Sequence, residues 1–122
     1  MTKPFTVEQL RCLELARIIR EGIPGVRFDM GTYRLRGEGC TTAGCVAGLA
    51  CAVYDAPTWQ SGSEGGIVRS ARKILGLSKQ QSDRLFEPWF YSGPQPHDIT
   101  PAIAAATLTN LGLTGKVEWL KP

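Results

Sequence analysis

Cys40 and His97 are the one pair in this 122-residue chain that could act as nucleophile and base, since His97 is its single histidine. A thiolate is a strong nucleophile, and a neighbouring histidine can deprotonate the thiol. Thr41 and Thr42 can cap a helix start, which would place Cys40 at a helix N-terminus, where the thiol pKa is lowered. One hypothesis is therefore a Cys40-dependent thiol enzyme.

The same residues have a simpler interpretation, which we favour. Free cysteine is among the most buried residue types, so Cys45 and Cys51 are predicted core residues and Cys40 a packed residue at a helix entry. His97 follows a Pro-Gln-Pro sequence that is typical of a solvated loop. The sequence has no paired-carboxylate motif, phosphate-cradling glycine loop or dinucleotide fingerprint. These observations favour a protein that is not an enzyme.

Composition argues against metal and membrane sites. The cysteines from 40 to 51 are spaced C-x4-C and C-x5-C, which does not match the short knuckles of zinc sites, so we expect no metal and no cofactor. The N-terminal sequence lacks an apolar leader, which predicts a cytoplasmic protein with free thiols. The longest uncharged run is shorter and less apolar than a membrane span requires.

Nucleic-acid binding is a second alternative. Two predicted helices meet at Ile74–Ser78, and a helix-turn-helix joins its helices through such a tight turn. Ser82, however, stands where an inward apolar residue is wanted. The second helix also balances Lys79 and Arg84 with two acidic residues, and the net charge of the chain is only +3. We therefore expect at most a weak nucleic-acid-binding protein.

The element that must position all these residues is the stretch from Cys40 to Tyr54, which is uncharged and built mainly from small residues. A helix that is apolar all round belongs inside a protein, so we predict a buried central helix over residues 41–54. The segment from Ala56 to Gly66 is rich in Pro, Ser and Gly and is predicted to be a loop.

Start signals place the other helices. Two capping boxes, Thr6–Gln9 and Ser78–Gln81, and the pair Thr100-Pro101 are typical of helix N-termini. Phe28–Leu35 and Lys116–Leu120 are candidates for a small two-stranded ribbon. The predicted fold is mainly α: one domain over residues 1–122, an orthogonal bundle of about five helices around the central one.

A binding surface is predicted where arginines and aromatic rings are concentrated. One helix presents basic side chains outward, and an aromatic run follows Pro88 beside a Pro-rich loop. Aromatic and arginine side chains dominate protein interfaces. The predicted surface consists of Arg69, Arg72, Lys73, Trp89 and Tyr91, and the predicted function is non-catalytic protein interaction, with a protein partner or with a second copy of the chain.

Four short motifs follow one another along nearly the whole chain. They are Phe28-Asp-Met-Gly31, a Cys-x-Thr-x-x-Cys-x-Ala-Gly pattern at Cys40 to Gly48, Leu75 to Ser78 with a later Leu85-Phe86, and Thr100-Pro101 with Thr-Gly-Lys-Val-x-Trp at Thr114 to Trp119. Their order resembles a family of small bacterial and bacteriophage proteins. Members often have glycine after the first cysteine, where Thr41 stands here. No activity is known for this family, so the resemblance transfers no catalytic residue and implies a cytoplasmic accessory protein.

Overall fold

The computed structural model describes residues 4–30, 35–37 and 40–119, with the backbone alone for 35–37 and 40–44. Six α-helices occur in this part of the chain: α1 (Val7–Glu21), α2 (Val46–Tyr54), α3 (Ala56–Ser61), α4 (Glu64–Leu75), α5 (Lys79–Phe86) and α6 (Pro101–Thr114). Three short strands are β1 (Arg27–Phe28), β2 (Leu35–Gly37) and β3 (Cys40–Gly44). Two 3-10 helices span Pro88–Tyr91 and Pro96–Asp98. The predicted mainly α fold is confirmed.

Helix α2 lies at the centre of the core. Its first six residues, Val46 to Cys51, are all buried, and α2 packs against α1, α3, α4 and α5. Because small side chains let neighbouring backbones approach closely, a nine-residue helix of this composition can be surrounded by others. The predicted buried central helix is present, and α1 buries an apolar stripe beside it, formed by Cys12, Leu15, Ala16 and Ile19.

The start of the central helix is a correction to the predicted range 41–54. The helix begins at Val46, its N-cap is Cys45, and no side chain caps it. Residues Cys40–Gly44 form β3 instead. The adjacent Thr41 and Thr42 are β-branched and favour extended backbone, and strands on both sides of β3 supply the ladder hydrogen bonds that a helix would otherwise provide.

The sheet differs from the predicted ribbon. Strand β3 is central, parallel to β1 (Phe28 opposite Gly44) and antiparallel to β2 (Gly37 opposite Cys40). Residues 116–119 are not a strand; the rest of the predicted Lys116–Leu120 segment lies outside the described residues. Both edges of β3 are already occupied, and the Trp119 indole N–H donates instead to the Arg84 carbonyl oxygen at 2.8 Å. The C-terminal segment therefore packs on α5.

Helix α3 was not predicted, since the Pro, Ser and Gly content of Ala56 to Gly66 predicts a loop. Asp55 caps this helix: its carboxylate accepts from the Thr58 backbone N–H at 3.4 Å and from the Ser70 hydroxyl on α4. These two hydrogen bonds, the Ser70 bond foremost, lower the pKa of the Asp55 carboxyl. Pro57 lies in the first turn, where its missing N–H costs nothing. The short helix is thus held by a contact from a distant residue.

Helices α1 and α6 form the most extensive helix pair, and two glutamines hold the C-terminal end of α6. Gln9 and Gln81 are the glutamines of the two capping boxes, and each uses its Oε1 atom to accept from its own N-cap. The free Nε2 of Gln9 donates to Gly112 O at 3.0 Å, and that of Gln81 donates to Gly115 O at 2.8 Å. The N-termini of α1 and α5 therefore satisfy carbonyls that α6 leaves unpaired.

We expect Gln9→Glu and Gln81→Glu each to lower the free energy of unfolding by about 1–2 kcal/mol. Glutamate keeps the capping box but cannot donate, so one hydrogen bond to α6 is lost. In addition, the new negative charge faces the C-terminal, negative end of the α6 helix dipole. Urea unfolding measures the effect. The control is Gln80→Glu, an exposed neighbour, which should leave stability within about 0.5 kcal/mol. Equal losses of stability for Gln80→Glu and Gln81→Glu would contradict the role of the Gln81 hydrogen bond to Gly115 O.

Candidate functional site

The aromatic run after α5 divides into buried and exposed rings. Phe86 is 2% exposed and Trp89 is half-buried, whereas Phe90 is 69% and Tyr91 47% exposed. Pro88 starts a 3-10 helix, whose three residues per turn direct one of the three rings toward the core and leave the other two exposed. The rings of Trp89 and Phe90 lie 6.1 Å apart at their centroids and are tilted by 51°. The short helix thus fixes two exposed rings next to α5, against which it packs.

Tyr91 lies beside a groove along α5. The guanidinium carbon of Arg84 is 5.8 Å from the centroid of the Tyr91 ring, a cation–π distance. The groove has a volume of about 300 Å³ and is lined by Lys79, Gln80, Asp83, Arg84 and Tyr91. We call these five residues together with Phe90 the Arg84–Tyr91 surface.

The two positive charges in this groove differ in their ion pairing. The ammonium of Lys79 pairs with the Asp83 carboxylate at 3.0 Å, one turn away on α5. Arg84 has no ion pair in the part of the chain that the structure describes, although its backbone is fixed by the hydrogen bond from Trp119. The groove therefore holds one internally neutralised pair and one positive charge that is oriented by an aromatic ring.

The three basic residues that were predicted to contribute to the surface from α4 differ in exposure. Arg69 and Lys73 are exposed, but Arg72 is half-buried and its Nε donates to the Ser82 hydroxyl at 3.1 Å. Ser82 is fully buried and donates in turn to the Lys79 carbonyl oxygen. Arg72 therefore joins α4 to α5, and Ser82 occupies its inward position with its hydroxyl satisfied.

The proposed nucleophile–base pair is only partly described. The backbone of Cys40 lies in β3, while its side chain is outside the described residues. His97 is on the second 3-10 helix with its imidazole 79% exposed, and its Nε2 atom is 3.6 Å from a carboxylate oxygen of neighbouring Asp98. An exposed imidazole beside the next residue's carboxylate gives His97 no buried position from which to orient a nucleophile.

Three cysteines have described side chains, and these are buried and form no disulfide bond: Cys12, Cys45 and Cys51. Burial raises the pKa of Cys12 to about 11 and that of Cys45 to about 12. The Cys51 thiol donates to the Ile67 carbonyl oxygen at 3.5 Å. Because the thiolate is the reactive form, the raised pKa values of Cys12 and Cys45 do not suit a nucleophile.

We expect iodoacetamide at pH 7.5 to modify Cys12, Cys45 and Cys51 in the native protein roughly 100-fold more slowly than in urea, because only unfolding exposes them. Site-resolved mass spectrometry measures the rates. Rapid native modification of Cys45 would contradict its burial. In the same experiment, a fast rate for Cys40 that persists below pH 7 would support the thiol-enzyme hypothesis.

Five residues of this surface were not among those predicted: Lys79, Gln80, Asp83, Arg84 and Phe90. Of the predicted aromatic pair, Trp89 is half-buried and Tyr91 is exposed. The signal for Phe90 was Pro88, since a proline that ends α5 also breaks the helical periodicity by which buried rings are identified. The signal for Arg84 was weaker, because its place beside Tyr91 depends on the angle at which the chain leaves α5.

A second group of exposed apolar side chains lies on α1, on α6 and just before the start of α1, and we call it the α1–α6 face. It consists of Phe5, Val7, Leu10 and Leu113, each 48–57% exposed. Gly112, next to Leu113, packs against Cys12 and Leu13 of α1. These residues offer a matched control surface for the aromatic one.

Comparison with protein-family models, curated proteins and solved structures found no match. Within the described residues, no helix has the length and apolar character needed to cross a membrane. Nor does any group of three or more His, Cys, Asp and Glu side chains in that part of the chain converge on a point where a metal ion could bind.

Proposed function

We propose that this protein is a non-catalytic interaction domain that binds a segment of a partner protein at the Arg84–Tyr91 surface. The observation that carries the proposal is the pair of exposed rings, Phe90 and Tyr91, on a 3-10 helix whose Tyr91 lines a groove of about 300 Å³. Aromatic rings that are exposed without a partner become anchors when a partner covers them.

Rigidity strengthens the argument. The 3-10 helix is closed by the hydrogen bond from Gly93 N to Pro88 O at 2.9 Å, and Pro88 itself is buried. A surface whose backbone is already ordered loses little conformational entropy on binding. The exposed rings therefore contribute contact area without first having to be positioned.

The resemblance to bacterial and bacteriophage proteins supports the biological setting that we propose. The domain is a cytoplasmic accessory protein, and a phage origin makes a protein of the host its partner. No observation on the surface favours catalysis, and Asp83 in the groove disfavours a nucleic-acid backbone. Protein recognition is the function that these residues support best.

A random peptide library selected on the immobilised protein tests the proposal without knowledge of the partner. We expect enriched sequences that bind with micromolar affinity, and we expect Phe90→Ser to weaken them at least tenfold, since anchor residues contribute on the order of 2 kcal/mol. Fluorescence polarisation of the labelled peptides measures the affinities.

The matched control is Leu113→Ser, which removes a similarly exposed apolar side chain from the α1–α6 face. It should change the affinity less than twofold. A library that yields no binder, or peptides lost in Leu113→Ser and retained in Phe90→Ser, would contradict the proposal.

A further inference from the structure

The Arg84–Tyr91 surface carries a charge that its own groove does not neutralise. Asp83, the acidic side chain lining the groove, is already paired with Lys79 at 3.0 Å. Arg84 also lines the groove, lies against the Tyr91 ring, and has no ion pair among the described residues. The groove is therefore electrostatically complementary to one negative group near Arg84.

The geometry of Arg84 suits a carboxylate. A guanidinium is planar and presents paired N–H groups that match the two oxygens of a carboxylate. Contact with the ring of Tyr91 restricts this plane, and the hydrogen bond from Trp119 to the Arg84 carbonyl oxygen fixes the backbone beneath it. Both constraints reduce the entropy lost when the arginine accepts a ligand.

A longer polyanion fits this surface less well. Nucleic-acid-binding surfaces use several positive charges along a continuous track. Here Lys79 is neutralised by Asp83, and Arg72 of the neighbouring helix is directed to buried Ser82. A single negative group next to apolar contacts matches the arrangement better than a row of phosphates.

We propose that Arg84 binds a carboxylate of the partner, an Asp or Glu side chain that lies beside an apolar residue covering Phe90. This inference rests on the proposed function and specifies the partner: an acidic-apolar peptide segment. Tyr91 acts as the positioning residue for the guanidinium, and Phe90 supplies the apolar contact.

The test compares peptides selected from the library with versions in which each Asp or Glu is replaced by Asn or Gln. We expect the amide peptide to bind roughly ten- to hundredfold more weakly, as charge-assisted hydrogen bonds to a guanidinium predict. Arg84→Gln should give the same loss for the acidic peptide and almost none for the amide peptide. Arg84→Lys should lose most of the preference, since lysine cannot bind a carboxylate through a planar fork.

The control is Arg20→Gln, which makes the same substitution at an exposed arginine in the last turn of α1. This control should change the affinity for the acidic peptide less than twofold. A larger effect would show that the peptide responds to the net charge of the protein rather than to Arg84, and would overturn the inference. If the acidic and amide peptides bound equally well and Phe90→Ser still weakened binding, the inferred carboxylate contact would be wrong and the proposed function would be retained. If Phe90→Ser had no effect, both would fail. Displacement of the peptide by a single-stranded oligonucleotide would overturn the inference in favour of a nucleic-acid ligand.

Discussion

Phe86→Ala is expected to lower the free energy of unfolding by about 3–5 kcal/mol, a large part of the stability of a domain of this size. Phe86 is the largest side chain among those that the fold buries almost completely. Its removal exchanges a ring packed in the core for a cavity, because neighbouring helices close only partly around the vacated space. Urea unfolding followed by circular dichroism measures the loss.

Phe90→Ala provides the comparison, four residues further along the same aromatic run. Phe90 is 69% exposed, so its truncation should change the free energy of unfolding by less than about 0.5 kcal/mol. A large loss at both positions would show that Phe90 is a core residue, and the Arg84–Tyr91 surface would lose its apolar anchor.

Ala50→Asp is expected to cost at least about 3 kcal/mol at pH 7, because an unpaired charge would then be buried in the central helix. Ala50 is fully buried in α2. Burial raises the pKa of such an aspartate above its value in the unfolded chain, so the folded variant binds its proton more tightly. Its penalty is therefore smallest below about pH 4 and grows as the pH rises.

Ala50→Asn separates charge from volume, since asparagine has nearly the same shape and no titrating group. The urea midpoint of Ala50→Asp relative to that of Ala50→Asn should fall between pH 4 and pH 7. A second control, Ala102→Asp on an exposed position of α6, should show little effect. A pH-independent difference between the two position-50 variants would argue against the burial of α2.

Local signals predicted the helix starts well. The hydroxyls of Thr6, Ser78 and Thr100 each accept from the backbone N–H three residues later, as their sequence patterns predict. Gly76 ends α4 in the left-handed conformation, with φ of 66°. In each case the decisive atoms lie within a few residues, so one short sequence motif contains the whole interaction.

Distant contacts account for the errors. Whether Thr41 and Thr42 cap a helix or extend a strand depends on whether β1 and β2 are there to pair with β3. Helix α3 is held in part by Ser70, fifteen residues beyond the Asp55 that caps it. Each of these segments has two allowed backbone conformations, and a contact from a distant residue decides between them. A local sequence pattern does not contain that distant residue.

The candidate site was also predicted only in part, for the same reason. The sequence predicts an aromatic and arginine-rich surface and includes Tyr91 correctly among its exposed residues. It does not distinguish Phe90 from Trp89, which differ in burial because of the 3-10 turn after Pro88. Nor does it show that Arg72 is tied to Ser82 while Arg84 lies over a ring, since both are arginines on amphipathic helices.

The most direct test of the Arg84–Tyr91 surface is a nuclear magnetic resonance titration of the ¹⁵N-labelled protein with a library-selected peptide. We predict backbone amide shifts concentrated at residues 79–84 and 89–91, with the α1–α6 face around Leu10 and Leu113 unchanged. Shifts concentrated on the α1–α6 face, with the aromatic segment unaffected, would contradict the assignment of this surface as the binding site.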